Sequence, residues 1–348
     1  GIGRKEGGIK SMDLIREMEK RALEGLDPDR EGLIRLLELD PESEEAEELG
    51  RAARRVASVV TGERARIWAS IGVDYQPCAM NCSFCSFGEA WDALGSSRTL
   101  SRAEVFRLAE ENVKQGADWI TLRTTEDYGL EELIHLAREI KQKIPGDYDL
   151  VANTGNISAG RAERLYNEGF RIVYHSIRMG EGLDTPFSTK ERCHTLEQIR
   201  QSPLQLAFLA EPVGVEHTSA EIADVFLTAM EYGASLSGAM ARIPVPGTPK
   251  YPLGQISDRR LAQIVAVTRL GAGHRAPDIC VHPPSRTALE WGANVVVVDL
   301  GALPRSAEMS VGAWNGFDVS TARQWFLDAG YRVKELEDQP DPHSDSMA

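Results

Sequence analysis

Two patterns of apolar and polar positions divide the chain. From Asp13 to about Thr61, apolar residues recur every three or four positions in "MDLIREMEKRALEG", "EGLIRLLEL" and "PESEEAEELGRAARRVASVV". Asp or Ser precedes new segments and Gly or Pro separates them, which predicts three amphipathic helices packed on a larger body. From Ile67 the texture becomes short strand-like runs: "IWASIGV", "DWITLRT", "YDLVAN", "RIVYHSI", "LQLAFLA", "LSGAMARI", "DICVH" and "NVVVVDL". Amphipathic helical stretches such as "RAEVFRLAEENVKQG", "LEELIHLAREIKQKI" and "SAEIADVFLTAMEYG" lie between them, many ending in the Gly that caps a helix.

Strand followed by helix, repeated, implies a parallel sheet. Eight such units over about 235 residues predict an α/β fold, a (β/α)8 TIM-type barrel, closed or nearly closed. The competing doubly wound open sheet needs a reversal of strand order, which sequence alone cannot show; the barrel is the favoured reading. The expected organisation is a tail and helical cap over residues 1–66, a barrel over 67–301, and a C-terminal helix with a polar tail over 302–348. The helix is "VSTARQWFLDAGY". The first eleven residues, "GIGRKEGGIKS", carry no apolar signal-peptide core and read as an appended stretch before a natural start at Met12.

Charge and cysteine usage narrow the class. A net charge of −14 argues against a nucleic-acid-binding surface, though a local basic pocket for an anion remains compatible with it. No run of eighteen apolar residues occurs, so no membrane span is expected. Five cysteines, odd in number and clustered, suit a reducing cytoplasmic compartment better than a secreted disulfide scaffold.

Three of those cysteines, Cys78, Cys82 and Cys85, fall within "PCAMNCSFCSFG" at C-x3-C-x2-C spacing, on the loop expected after the first strand. Barrel enzymes place their chemistry on such loops. Incidental buried cysteines, a structural zinc site and an iron–sulfur cluster are the readings open here. Zinc normally takes four closed ligands, and no second pair lies nearby. A [4Fe-4S] cluster held by three cysteines keeps one iron free of protein, as reactive metal centres require.

On these residues the sequence resembles the radical SAM enzymes. The resemblance implies a [4Fe-4S] cluster whose vacant iron binds S-adenosylmethionine (SAM) and reductively cleaves it. The resulting 5′-deoxyadenosyl radical abstracts hydrogen from a small-molecule or cofactor-precursor substrate. An electron donor such as flavodoxin or ferredoxin is then expected as partner, with no nucleic acid and no membrane. Phe84 matches the aromatic that packs beside the adenine.

The likeness extends over roughly Ile67 to Gly301 and is closest to the branch of biotin synthase, the hydrogenase maturase HydE and methylornithine synthase PylB. It assigns Thr124, Thr125 and Glu126 of "WITLRTTEDYG" to the methionine ammonium. Ser176 and Arg178 of "VYHSIRMGEGLDT" go to the ribose and substrate, and Arg192 goes to the SAM carboxylate. In "ARIPVPGTP", the backbone at Ile243 and Val245 would meet the adenine edge, with Gly247 turning the chain.

Asn153, Thr154, His175, Glu211, Cys280 and His282, at or near strand ends, are candidates for the substrate pocket. Asp299 ends the eighth run. Cys193 and His194 read as structural. Biotin synthase carries a second cluster on strand cysteines, whereas "ITLRT", "DLVAN" and "LQLAFLA" contain none, so no second cluster is expected. Cofactor biosynthesis, metallocofactor maturation and carbon-skeleton rearrangement are all compatible with the pattern. Sulfur insertion of the biotin or lipoyl kind is an alternative, and a non-catalytic iron–sulfur or zinc scaffold is a reading of another class.

Overall fold

Pleated segments that are apolar on both faces must be covered on both, and this chain covers them by closing its sheet on itself. The computed structural model describes residues 3–303 and 316–336; the end of the expected polar tail lies outside them. The strands are β1 (Arg66–Gly72), β2 (Trp119–Arg123), β3 (Asp149–Ala152), β4 (Phe170–Tyr174), β5 (Gln205–Ala207, continued by Ala210–Val213), β6 (Leu236–Ala241), β7 (Asp278–His282) and β8 (Val295–Gly301). Each pairs in parallel with the next, and β8 returns to β1 with Arg66 opposite Val295 and Gly72 opposite Gly301. The result is a closed eight-stranded parallel barrel, which removes the open-sheet alternative.

Two details depart from the sequence expectation. "LQLAFLA" is not one strand: β5 breaks after Ala207 and resumes at Ala210, with a shift of register against β6. Pro212 in the second segment has no N–H to give to a ladder. A short antiparallel ribbon, Asp74–Tyr75 with Arg98–Thr99, closes the base of the loop carrying the three cysteines. Two-residue strands have no periodicity to read.

Helices α1 (Gly3–Glu24), α2 (Arg30–Leu37) and α3 (Glu44–Thr61) precede the barrel, α1 running back through the expected tail. Around the barrel lie α4 (Arg102–Lys114), α5 (Leu130–Lys143), α6 (Ala159–Asn167), α7 (Thr189–Arg200), α8 (Ser219–Glu231), α9 (Asp258–Ala272), α10 (Arg286–Glu290) and α11 (Val319–Asp328). Ser101 and Thr218 cap α4 and α8 through reciprocal bonds with Glu104 and Glu221. The first three helices form a cap against α9, which is buried without a break from Leu261 to Ala272. A helix buried all round needs apolar or internally bonded residues on every side. Arg269 satisfies this by donating to Gly292 O at 2.9 Å, Pro277 O at 2.7 Å and Asn294 Oδ1 at 2.8 Å.

Inside the barrel, Trp68, Trp119, Val151, Ile172, Leu236, Cys280 and Val295 fill the half nearest the strand N-termini. Trp68 meets Trp119 edge to face at 6.0 Å. That plug leaves the other half open.

Candidate active site

Above the plug, a cavity of about 1030 Å³ opens at the C-terminal ends of the strands. Barrel enzymes concentrate their reacting groups there because the loops that follow the strands converge on it. The loop after β1 is held in a defined shape. Cys85 N donates to Cys82 O at 2.9 Å, Gly88 N to Cys85 O at 3.3 Å, and Glu89 N to Cys78 O at 3.0 Å. Asn81 adopts a left-handed backbone (φ 47°), and its Oδ1 accepts from Ala90 N at 2.9 Å.

Two neighbours tie the loop to the barrel. Ser83 N donates to Asp184 O at 2.8 Å, Lys250 N donates to Ser83 O at 3.1 Å, and the Lys250 ammonium pairs with Asp184 at 3.0 Å. Cys85 and Phe84 line the cavity. Burial pushes the Cys82 thiol up to about 11, opposed by the nearby Arg178 guanidinium.

The second-strand segment continues the wall. Thr124, Thr125 and Glu126 all line the cavity. The Thr125 hydroxyl is committed elsewhere: it donates to Asp74 Oδ2 at 2.6 Å and accepts from Gln76 Nε2 at 3.1 Å. It therefore anchors the ribbon, leaving Thr124 and Glu126 as the open polar groups of the three.

Asn153 and Thr154 follow β3, and Thr154 Oγ1 is buried without a hydrogen-bond partner among the described residues. His175, Ser176 and Arg178 follow β4 and also line the cavity, as does Arg192 from α7. Glu181 gathers the two arginines, at 3.1 Å from Arg178 and 3.4 Å from Arg192. Both guanidinium groups lie over the Phe187 ring, at 4.9 and 4.5 Å from its centroid. Burial, then the positive Arg178, lowers the basicity of Arg192. Burial and the same two arginines hold His175 down at about 3, so its imidazole is neutral at pH 7.

Of the sixth-strand candidates, Ile243 lines the cavity, whereas Val245 is buried behind it. Gly247 takes a left-handed turn with φ 88°. Cys78 and Cys82 lie on the loop behind Cys85 and outside the lining, and Cys280 lies in the plug below. Glu211 and His282 face the cavity.

Several lining residues escaped the sequence reading. Ser70 stands opposite both Thr121 and Asp299 across adjacent strands, so these inward positions share a layer. Trp68 Nε1 donates to Thr121 Oγ1 at 2.7 Å. Arg123 donates to Asp299 at 2.7 Å and Ser70 at 3.2 Å, and His282 Nε2 meets the other Asp299 oxygen at 2.6 Å. Burial alone would raise the Asp299 carboxyl, but His282 and Arg123 together hold it well below the usual carboxylate range. Strand alternation from Trp68 through Ser70, and from Trp119 through Thr121 to Arg123, is the signal that could have found them.

The donor set suits a soft metal group: three thiols within eight residues, with no carboxylate or imidazole between them. Among the described residues no three His, Cys, Asp or Glu side chains gather around a single ion. The buried polar wall, with the unpartnered Thr154 hydroxyl and the paired arginines, fits an amphiphilic, zwitterionic cosubstrate.

No family model matches the sequence. Among curated proteins it is similar to the biotin synthase of Persephonella marina, 22% identical over 268 residues that span 74% of this chain and 78% of that one. The biotin synthase of Halorhodospira halophila is 25% identical over 244 residues, 66% of this chain and 70% of its own. Among solved structures, methylornithine synthase (PylB) superposes with a TM-score of 0.75 at 17% identity, covering 92% of this chain and 98% of that one. The FeFe-hydrogenase maturase HydG from Carboxydothermus hydrogenoformans gives 0.73 at 17% identity over 94% of this chain and 80% of its own. At such identities the structures speak for the fold, and the sequence relatives align over most of the chain. Its sequence likeness is therefore to biotin synthases, and its barrel has the fold of methylornithine synthase and HydG.

Proposed function

We propose that the protein is a radical SAM enzyme acting on a small-molecule or cofactor-precursor substrate. The observation that carries this reading is the placement of the Cys78–Cys82–Cys85 loop at the mouth of a cavity walled by Glu126, Arg178 and Arg192. Cys78, Cys82 and Cys85 would hold a [4Fe-4S] cluster. Together with SAM it supplies reductive cleavage of a sulfonium to methionine and a 5′-deoxyadenosyl radical able to take hydrogen from carbon.

The chain's own residues do the positioning. Glu126 offers negative charge to an ammonium, and Arg192 offers a planar fork to a carboxylate. Phe84 gives an apolar face beside the cysteines. Glu181 keeps Arg178 and Arg192 side by side, where two like charges would otherwise push apart. Arg178 sets positive charge beside Cys82 and favours its thiolate. The Trp68–Trp119 plug closes the floor of the reacting space.

Sulfur insertion by a second cluster has less support: Cys280 is sealed in the plug, and burial raises its thiol far above the ordinary value. The decisive experiment is anaerobic reconstitution with iron and sulfide, followed by dithionite and SAM. About four irons and four sulfides per chain, with 5′-deoxyadenosine released, are the expected results. A fully loaded protein releasing no 5′-deoxyadenosine, with or without candidate substrates, would sink the proposal and leave the scaffold reading.

A further inference from the structure

Among the described residues, one buried carboxylate of the cavity makes no ion pair. Glu211, in the second segment of β5, lines the cavity and is only 8% exposed. Its polar neighbours are the hydroxyls of Tyr174 and Ser176, and the Tyr174 hydroxyl is buried with no hydrogen-bond partner among the described residues. The positive groups that act on it from further off are Arg178 and His282. Arg178 is already paired with Glu181 at 3.1 Å, and His282 with Asp299 at 2.6 Å. Among the described residues no Lys, Arg or His makes an ion pair with Glu211. Burying a carboxylate without a cation in contact is expensive, and burial does push this carboxyl above its ordinary value.

The cavity that Glu211 faces also has aromatic and aliphatic walls. Trp68 and Tyr174 both line the cavity and meet edge to face at 5.5 Å, with Leu209 and Val297 completing an apolar surround. A desolvated carboxylate beside indole and phenol faces attracts an alkylammonium through both charge and ring quadrupole. A carboxylate or phosphate ligand would meet repulsion there, and a neutral alcohol would leave the charge uncompensated.

We propose that this end of the cavity is an amine subsite: the substrate carries a protonated alkylamine, with Glu211 as its counter-ion and Trp68 and Tyr174 beside it. The assignment names the substrate class of the radical SAM site proposed above and rests on that reading, but amine binding itself requires no turnover.

The test is direct binding to the reconstituted protein, read by saturation-transfer NMR with three probes of equal length: butylammonium, 1-butanol and butyrate. Butylammonium is expected to bind about tenfold or more tightly than the other two, and Glu211→Gln to weaken it by about tenfold or more. Glu211→Asp should keep the preference for the amine. Equal binding of amine and alcohol, preference for butyrate, binding of none of the three, or unchanged amine binding in Glu211→Gln would each overturn the subsite. If Glu211→Gln does not fold, the preference of the unaltered protein among the three probes decides. Release of 5′-deoxyadenosine is measured separately. Amine binding without SAM cleavage would count against the radical chemistry alone, and cleavage without amine preference against the subsite alone.

Discussion

Single side chains in this site differ by what already occupies them. Thr125 and Thr124 are neighbours in sequence, yet one hydroxyl is consumed by Asp74 and the other stays available. The same logic separates the five cysteines. Replacing Cys78, Cys82 or Cys85 by Ala should cut reconstituted iron to near background, measured per chain after desalting. Cys280→Ala and Cys193→Ala should retain it. Iron retained in Cys82→Ala would remove the cluster assignment.

His175 supplies a pH prediction. Its folded-state value is held at about 3, against an ordinary 6.5, by burial and by Arg192 and Arg178. Between those values the unfolded chain binds a proton that the folded chain refuses. Its contribution to stability is therefore intact above pH 6.5 and lost progressively down to about 3. The slope it adds is at most about 1.4 kcal/mol per pH unit. Urea midpoints across this range should fall less steeply with acidification in His175→Gln than in the unaltered protein; parallel curves would refute the assignment.

Elements are joined by a few bonds that no local pattern announces. Asp74, on the ribbon, accepts from Thr125 N at 2.8 Å as well as from its hydroxyl, and so fixes the cysteine loop to the end of β2. Asp74→Ala leaves a buried N–H unpaired and should cost about 1–3 kcal/mol by urea unfolding, with weakened iron retention. Between β6 and β7 the backbones approach so closely that only glycine fits at position 238. Its φ is 134°, and an added Cβ would lie 2.0 Å from Cys280 O. Gly238→Ala should destabilise by about 3 kcal/mol or more, since backbone on both sides must shift. A neutral outcome in thermal unfolding would mean the strands separate more easily than their register implies.

At the scale of the whole molecule, the helical cap is part of the barrel's core. Leu33, Leu36, Leu49 and Val56 are fully buried, and Gly50 sits where a Cβ would meet the Trp291 ring at 2.4 Å. Removing residues 1–62 would expose buried residues of α9 and strip Gln263 of the Leu36 and Leu39 carbonyls it bonds. The truncated protein should lose cooperative unfolding and aggregate, judged by calorimetry and gel filtration. A soluble, cooperatively melting barrel would show the cap to be dispensable. Across the described residues, no helix is long and apolar enough to cross a membrane.

The order of strands and helices was legible in the chain because alternation and the three-to-four-residue repeat are local consequences of backbone geometry. The cysteine loop was legible for the same reason: its three thiols lie within one short segment. Other features required the fold. Closure depends on β1 meeting β8, more than two hundred residues apart, in one register. The break in β5, the Asp74 anchor and the Arg123–Asp299–His282 chain likewise depend on which residues of distant strands stand opposite each other. Whether a buried charge is paired is decided by neighbours from other strands. Sequence placed Glu211 at a strand end, while only the assembled barrel left its carboxylate facing the cavity without an ion pair among the described residues, Arg178 and His282 having each found another acid.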